Sequence, residues 1–137
     1  MADFPQPDIT DTNRPFWEGL DQGRLLFQEC DRGHRWLPAR DFCPECLSSS
    51  FQFVEASGRA TVLSWVVYRT AFNDAFKDRL PYNVSLVQLA EGPRMMTNVL
   101  CDPDVLAADL PVDLVIQKED TCSVARFQPA SREAGPR

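Results

Sequence analysis

The pattern of hydrophobic and polar positions changes period near residue 51. Upstream, Phe16, Trp17 and Leu20 fall on one face at helical spacing, behind the N-cap candidates Asp11-Thr12-Asn13 and with Pro15 suited to a first turn. This predicts a short helix over about 14–22, ended by Gly23, and an extended segment from Arg24 to Glu29. Downstream, Phe51–Glu55 alternates with period two, Gly58 breaks the run, and Ala60–Tyr68 is long and rich in β-branched and aromatic residues. Tyr82–Leu89 and Arg94–Leu100 flank an Ala90-Glu91-Gly92-Pro93 turn, and Val112–Lys118 and Cys122–Phe127 flank a second turn at Glu119-Asp120-Thr121. One helical turn is expected over Asp104–Asp109.

A long strand, a hairpin, a connecting turn and a second hairpin within about seventy residues match a small Greek-key barrel of the OB type. A two-sheet sandwich uses more strands. The connection from Thr70 to Pro81 carries Phe72 and Phe76. Two readings stay open for them: a satellite core under the loop, or a ligand or partner surface.

Composition narrows the class. At 137 residues, 44% apolar and 25% charged, the chain is one ordinary domain or a core with a stapled satellite, and it can bury a core. A net charge of −6, concentrated in the first half, argues against a general phosphate-backbone binder. The N-terminus lacks a basic region followed by an apolar stretch, and no run of about 18 apolar residues occurs, so the reading is a soluble, cytoplasmic protein. Residues 1–13 and 129–137 show no apolar period and read as extended arms.

Five cysteines and one histidine carry the candidate chemistry. An odd cysteine count fits poorly with a closed disulfide framework. Cys43-Pro44-Glu45-Cys46 is a C-x-x-C knuckle able to aim two sulfurs at one ion. Upstream, Cys30-Asp31-Arg32-Gly33-His34 has glycine where a second knuckle would place its cysteine, but His34 completes a Cys30, His34, Cys43, Cys46 set suited to tetrahedral Zn²⁺. The alternative is an eroded ribbon packed by Trp36, Leu37 and Phe42 without metal. Cys101 and Cys122, beside strands, read as packing residues. A nucleophilic cysteine or serine would want the histidine that the metal set uses, and the acidic pairs Asp102/Asp104 and Glu119/Asp120 sit in turns. The residues therefore give little support for catalysis.

Taken in order, Phe16-Trp17-Glu18-Gly19-Leu20, Gly23 to Cys30, Trp36 to Arg40, Cys43 to Cys46, Ser57 to Trp65, Leu80-Pro81-Tyr82, Leu86 to Leu89 and Arg126 to Pro129 resemble the zinc-ribbon/OB-fold proteins of acyl-CoA metabolism, the domain of unknown function 35 family. The resemblance spans about residues 14–130 and departs from the family's four-cysteine pattern at Gly33. It implies a mainly β fold: an N-terminal arm and helix (1–23), a rubredoxin-like zinc ribbon (24–56), a five-stranded OB barrel (57–130) and a disordered tail (131–137). It also implies a non-catalytic partner of a thiolase-superfamily or MaoC-like hydratase enzyme, with acyl-CoA at the shared interface and structural Zn²⁺ in the ribbon.

On that basis Phe16, Trp17 and Leu20 are expected to dock the partner, unless the helix packs on its own chain. Trp65, Phe72 and Tyr82 are expected to border the acyl or pantetheine path. Two rival readings are a stand-alone acyl-CoA-binding protein and a single-strand nucleic-acid module using Trp65, Tyr68 and Tyr82 with Arg59, Arg69 and Arg94.

Overall fold

The computed structural model describes residues 5–71 and 73–130. Among the described residues there are one α-helix, α1 (Arg14–Asp21), and eight strands: β1 (Leu26–Cys30), β2 (Arg35–Trp36), β3 (Phe51–Glu55), β4 (Arg59–Tyr68), β5 (Tyr82–Leu89), β6 (Arg94–Thr97), β7 (Pro111–Glu119) and β8 (Cys122–Pro129). Two 3-10 helices, Asp74–Arg79 and Pro103–Val105, lie in connections. The fold is the expected mainly β one: a ribbon sheet ordered β2-β1-β3 and a curled five-stranded antiparallel sheet ordered β6-β5-β4-β7-β8. Residues 1–4, 72 and 131–137 lie outside the described residues, so neither the tail nor Phe72 can be placed.

Helix α1 has Pro15 in its first turn, as expected, but Asn13 makes no side-chain cap. Its carboxamide turns back instead, accepting from the Thr10 N–H at 2.7 Å and donating to the Asp8 carbonyl at 3.0 Å. At Gly19 the helix meets β1 so closely that a Cβ would lie 2.9 Å from Leu26 Cδ1. That contact turns Leu20 inward, where it is 1% exposed beside Leu25, Phe27 and the barrel residues Val62, Val87 and Phe127. One continuous core therefore joins the helix, the ribbon and the barrel.

The sheet curls because β4 is bulged. Its register against β5 pairs Val62 with Val87 but Ser64 with Leu86, so one extra residue bends the strand between them. Its first residues pair with β7 (Arg59 with Asp113) while its whole length pairs with β5. Residues 94–100 were expected to form one strand, but β6 ends at Thr97. The following residues leave β5 for β8: the Phe127 N–H donates to the Asn98 carbonyl at 3.1 Å and the Leu100 N–H to the Phe127 carbonyl at 2.7 Å. Thr97 Oγ1 also donates to the Ala125 carbonyl, narrowing the gap between the outer strands. The expected turn at Asp104–Asp109 is shorter, a 3-10 helix begun by Pro103; beyond it Asp109 takes a φ of 65° and donates its N–H to Val62.

Candidate metal centre and grooves

The metal centre grows out of the β1–β2 hairpin. Gln28 pairs with Trp36 and Glu29 with Arg35, so alternation sends Gln28 and Trp36 to one face and leaves Glu29 and Arg35 to ion-pair at 2.7 Å on the other. One step further Cys30 and His34 close the turn, and their side chains meet the knuckle of Cys43 and Cys46. The four ligand atoms lie within 4.8 Å of one another. His34 Nδ1 is 3.5 Å from both Cys30 Sγ and Cys43 Sγ, and Cys30 Sγ is 3.8 Å from Cys46 Sγ.

These separations fit zinc. Tetrahedral bonds of Zn–S about 2.3 Å and Zn–N about 2.0–2.1 Å put neighbouring sulfurs about 3.8 Å apart and sulfur and nitrogen about 3.6 Å apart. The donor set agrees: Cys30 Sγ accepts from the Arg32 N–H, and Cys43 Sγ from the N–H groups of Glu45 and Cys46, all at 3.4 Å. Burial pushes the Cys43 thiol up, but the backbone donors Cys46 and Glu45 together with the Cys46 and Cys30 side chains reverse this, so its net pKa falls. For Cys46 the Ser48 backbone contact favours the thiolate, while burial and the nearby sulfurs outweigh it and raise the pKa. When bound, zinc supplies a structural cross-link whose binding free energy is folding free energy for the ribbon. Cys30, Trp36 and Cys43, with Cys46 and Phe51 against them, form a small satellite core at the four ligand atoms. Phe42, proposed for metal-free packing, is 55% exposed.

Two grooves flank the barrel. The first, of about 490 Å³, is mostly apolar and lies between α1 (Phe16, Trp17), the ribbon loop (Leu37) and the sheet (Leu86, Met95, Val124). Phe16 and Trp17 meet edge to face at 5.2 Å and remain half-buried. Leu20 also borders this groove, and at 1% exposed its side chain packs into the protein's own core.

The second groove, of about 790 Å³, has an aromatic wall of Tyr68, Phe76 and Tyr82 and a polar floor including Asn83, Asn98 and Arg126. Tyr68 and Tyr82 stack at 5.1 Å, and Phe76 tilts against Tyr82 at 5.3 Å. At the rim Arg79 donates two hydrogen bonds, of 2.7 and 2.8 Å, to the Glu119 carboxylate, which Arg126 also grips. Paired with Arg79, against its own burial and helped by Arg126, Glu119 falls to a pKa of about 2.

Of the expected acyl-path residues, Tyr82 lines this groove, Phe72 lies outside the described residues, and Trp65 is not among the residues that line it. In the β4–β5 register Trp65 pairs with Ser85 and Tyr68 with Tyr82, so Trp65 and Tyr82 lie on opposite faces of the sheet. Arg59 and Arg94 line two other hollows away from the tyrosines, which weakens the nucleic-acid reading. The Arg79–Glu119–Arg126 cluster and Gln28 were not read from sequence. An arginine between Ala125 and Phe127 in a barrel strand was the available signal.

The architecture is that of a zinc-ribbon/OB-fold protein. Residues 17–52 match the ChsH2 rubredoxin-like zinc ribbon domain and residues 53–117 the ChsH2 C-terminal OB-fold domain. The chain belongs to the DUF35 family and carries the ChsH2 pair of domains. It is 31% identical over 96 residues to a DUF35 domain-containing scaffold protein of Pyrococcus furiosus, covering 69% of this chain and 70% of that one. It is 33% identical over 129 residues to a probable enoyl-CoA hydratase alpha subunit of Thermomonospora curvata, covering 92% of this chain but only 40% of that protein. Among solved structures, a chain of the Ltp2-ChsH2(DUF35) aldolase superposes with a TM-score of 0.82 at 33% identity, covering 90% of this chain and 98% of that one. No helix among the described residues is long and apolar enough to cross a membrane.

Proposed function

We propose that this chain is a non-catalytic accessory subunit that docks on a thiolase-superfamily or MaoC-like hydratase enzyme and helps form its acyl-CoA passage. The likeness to the ChsH2 chain of an aldolase, over nearly the whole length of both, carries the reading. Two features of the chain support it. Phe16 and Trp17 border an apolar groove at the junction of helix, ribbon and barrel, suited to burying a partner's side chains. The chain's one histidine turns its Nδ1 toward cysteine sulfurs, which takes it away from acid–base work. The groove beside Tyr82 is the proposed border of the acyl or pantetheine path. The partner supplies the thioester chemistry.

The test is co-expression with a thiolase-superfamily or hydratase enzyme from the same genome. Co-purification is expected, with loss of that enzyme's activity when Phe16→Ser and Trp17→Ser are combined. A chain that stays monomeric beside such enzymes and leaves them fully active overturns the proposal.

A further inference from the structure

Cys43-Pro44-Glu45-Cys46 delivers its ligands at positions i and i+3 and follows them with a left-handed residue, Leu47 at φ 61°, whose N–H returns to the Cys43 carbonyl at 2.9 Å. The Cys30 turn reverses that order. The left-handed residue, Gly33 at φ 86°, comes at i+3, and the ligand, His34, comes at i+4. Gly33 donates its N–H to the Cys30 carbonyl at 3.0 Å and Cys30 donates its own to the His34 carbonyl at 2.9 Å. This is a β-hairpin with a three-residue loop, 31–33, in which a turn is followed by a glycine in the left-handed region.

Cys30 and His34 are thus cross-strand partners that close the hairpin, with side chains on one face about 5 Å apart at Cβ. The face is the one on which Gln28 and Trp36 are buried. Nδ1 lies on the near side of the imidazole, two bonds from Cβ, and it is this atom that sits 3.5 Å from two sulfurs. Nε2 lies across the ring from it.

For the zinc centre already described, we infer that His34 ligates through Nδ1, leaving the proton on Nε2, and that Gly33 is the turn residue that aims this ligand rather than a vacated ligand position. The centre carries three thiolates and a neutral imidazole, a net charge of −1, where a four-thiolate ribbon carries −2. A cysteine at position 33 would demand the left-handed backbone of a residue that has a Cβ, and it would project from the loop rather than from the shared face.

Because His34 is the single histidine of the chain, one imidazole reports on the site. The protein is loaded with ¹¹³Cd²⁺ in place of zinc, labelled with ¹⁵N-histidine, and examined by long-range ¹H–¹⁵N correlation. Cadmium coupling to Nδ1 with the proton on Nε2 is expected; coupling to Nε2, or none, overturns the inference. X-ray absorption of the zinc protein should give three sulfurs at about 2.3 Å and one nitrogen at about 2.0 Å, and an all-sulfur shell overturns it.

Variants test the role of Gly33. His34→Ala should weaken zinc binding by more than the roughly 10- to 100-fold that loss of an outer-shell partner costs. Gly33→Cys combined with His34→Ala should not restore it; recovery of wild-type affinity would show that position 33 is a ligand site after all. If the variants do not fold, the two measurements on the wild-type chain still decide the ligand atom.

Discussion

The side-chain amide of Gln28 and the backbone of Arg40 form a reciprocal pair: Gln28 Nε2 donates to the Arg40 carbonyl and the Arg40 N–H donates to Gln28 Oε1, both at 2.8 Å. Gln28 is fully buried, so its amide stands in for a missing strand and pins the loop that carries Leu37 to the apolar groove. Gln28→Ala removes both bonds and should destabilise the fold by about 2–3 kcal/mol. The urea midpoint is expected to fall with an unchanged slope. A midpoint equal to wild type would show that the loop is held by other contacts.

Glu119 contributes stability through its depressed pKa. Its carboxyl drops from 4.5 to about 2 in the folded protein, so this contribution is present above about pH 4.5 and is lost as pH falls through about 2. Arg79 is 40% exposed, which discounts the pair, and about 2 kcal/mol is expected at pH 7. Urea titrations of wild type and Glu119→Gln should show a stability gap that closes between pH 4.5 and 2. A gap independent of pH would mean that the ion pairs contribute nothing.

Metal removal should act first on the ribbon. Trp36 is 4% exposed and packs with Cys30 and Cys43, while Phe51 meets it edge to face at 5.9 Å. In a Trp17→Phe, Trp65→Phe background, a strong chelator is expected to red-shift the Trp36 emission before the β-sheet circular dichroism of the barrel is lost. Added zinc should reverse the shift, and an emission that stays blue after the metal has gone would show a ribbon held by protein contacts alone.

Phe127 is the keystone of the curled sheet. It is fully buried, pairs with Leu114, and exchanges backbone hydrogen bonds with Asn98 and Leu100 where the outer strands converge. Phe127→Ala should cost about 3–5 kcal/mol, measured by thermal or urea unfolding. A loss below about 1 kcal/mol would mean that the core repacks around the gap.

How much of this was legible in the sequence differs from residue to residue. The helix, the hairpins and the ligand set Cys30, His34, Cys43 and Cys46 rest on contacts within a few residues, or on a knuckle whose spacing directs its own sulfurs. The apolar stripe of Phe16, Trp17 and Leu20 left open whether its partner is this chain or another; that Leu20 packs within the same chain depends on the approach at Gly19, between residues on two elements. Glu119, Arg79 and Arg126 come together from three segments; Arg126 within a barrel strand signals a buried partner, but no local pattern says which distant residues supply it.

The amino-acid sequence by itself determined the order of elements, the ribbon-then-barrel layout and the donor atoms available for a metal, because hydrophobic period and turn chemistry act over a few residues. Which face each side chain serves was decided only by the tertiary structure. The bulge between Val62 and Ser64 shows why: plain alternation from Ala60 and Val62 would send Ser64, Val66 and Tyr68 to the inner face. One extra residue moves Trp65 and Val67 there instead, parting Trp65 from Tyr82. The bulge exists because β4 must pair with β7 at its start and with β5 throughout, a demand set by strands distant in the chain.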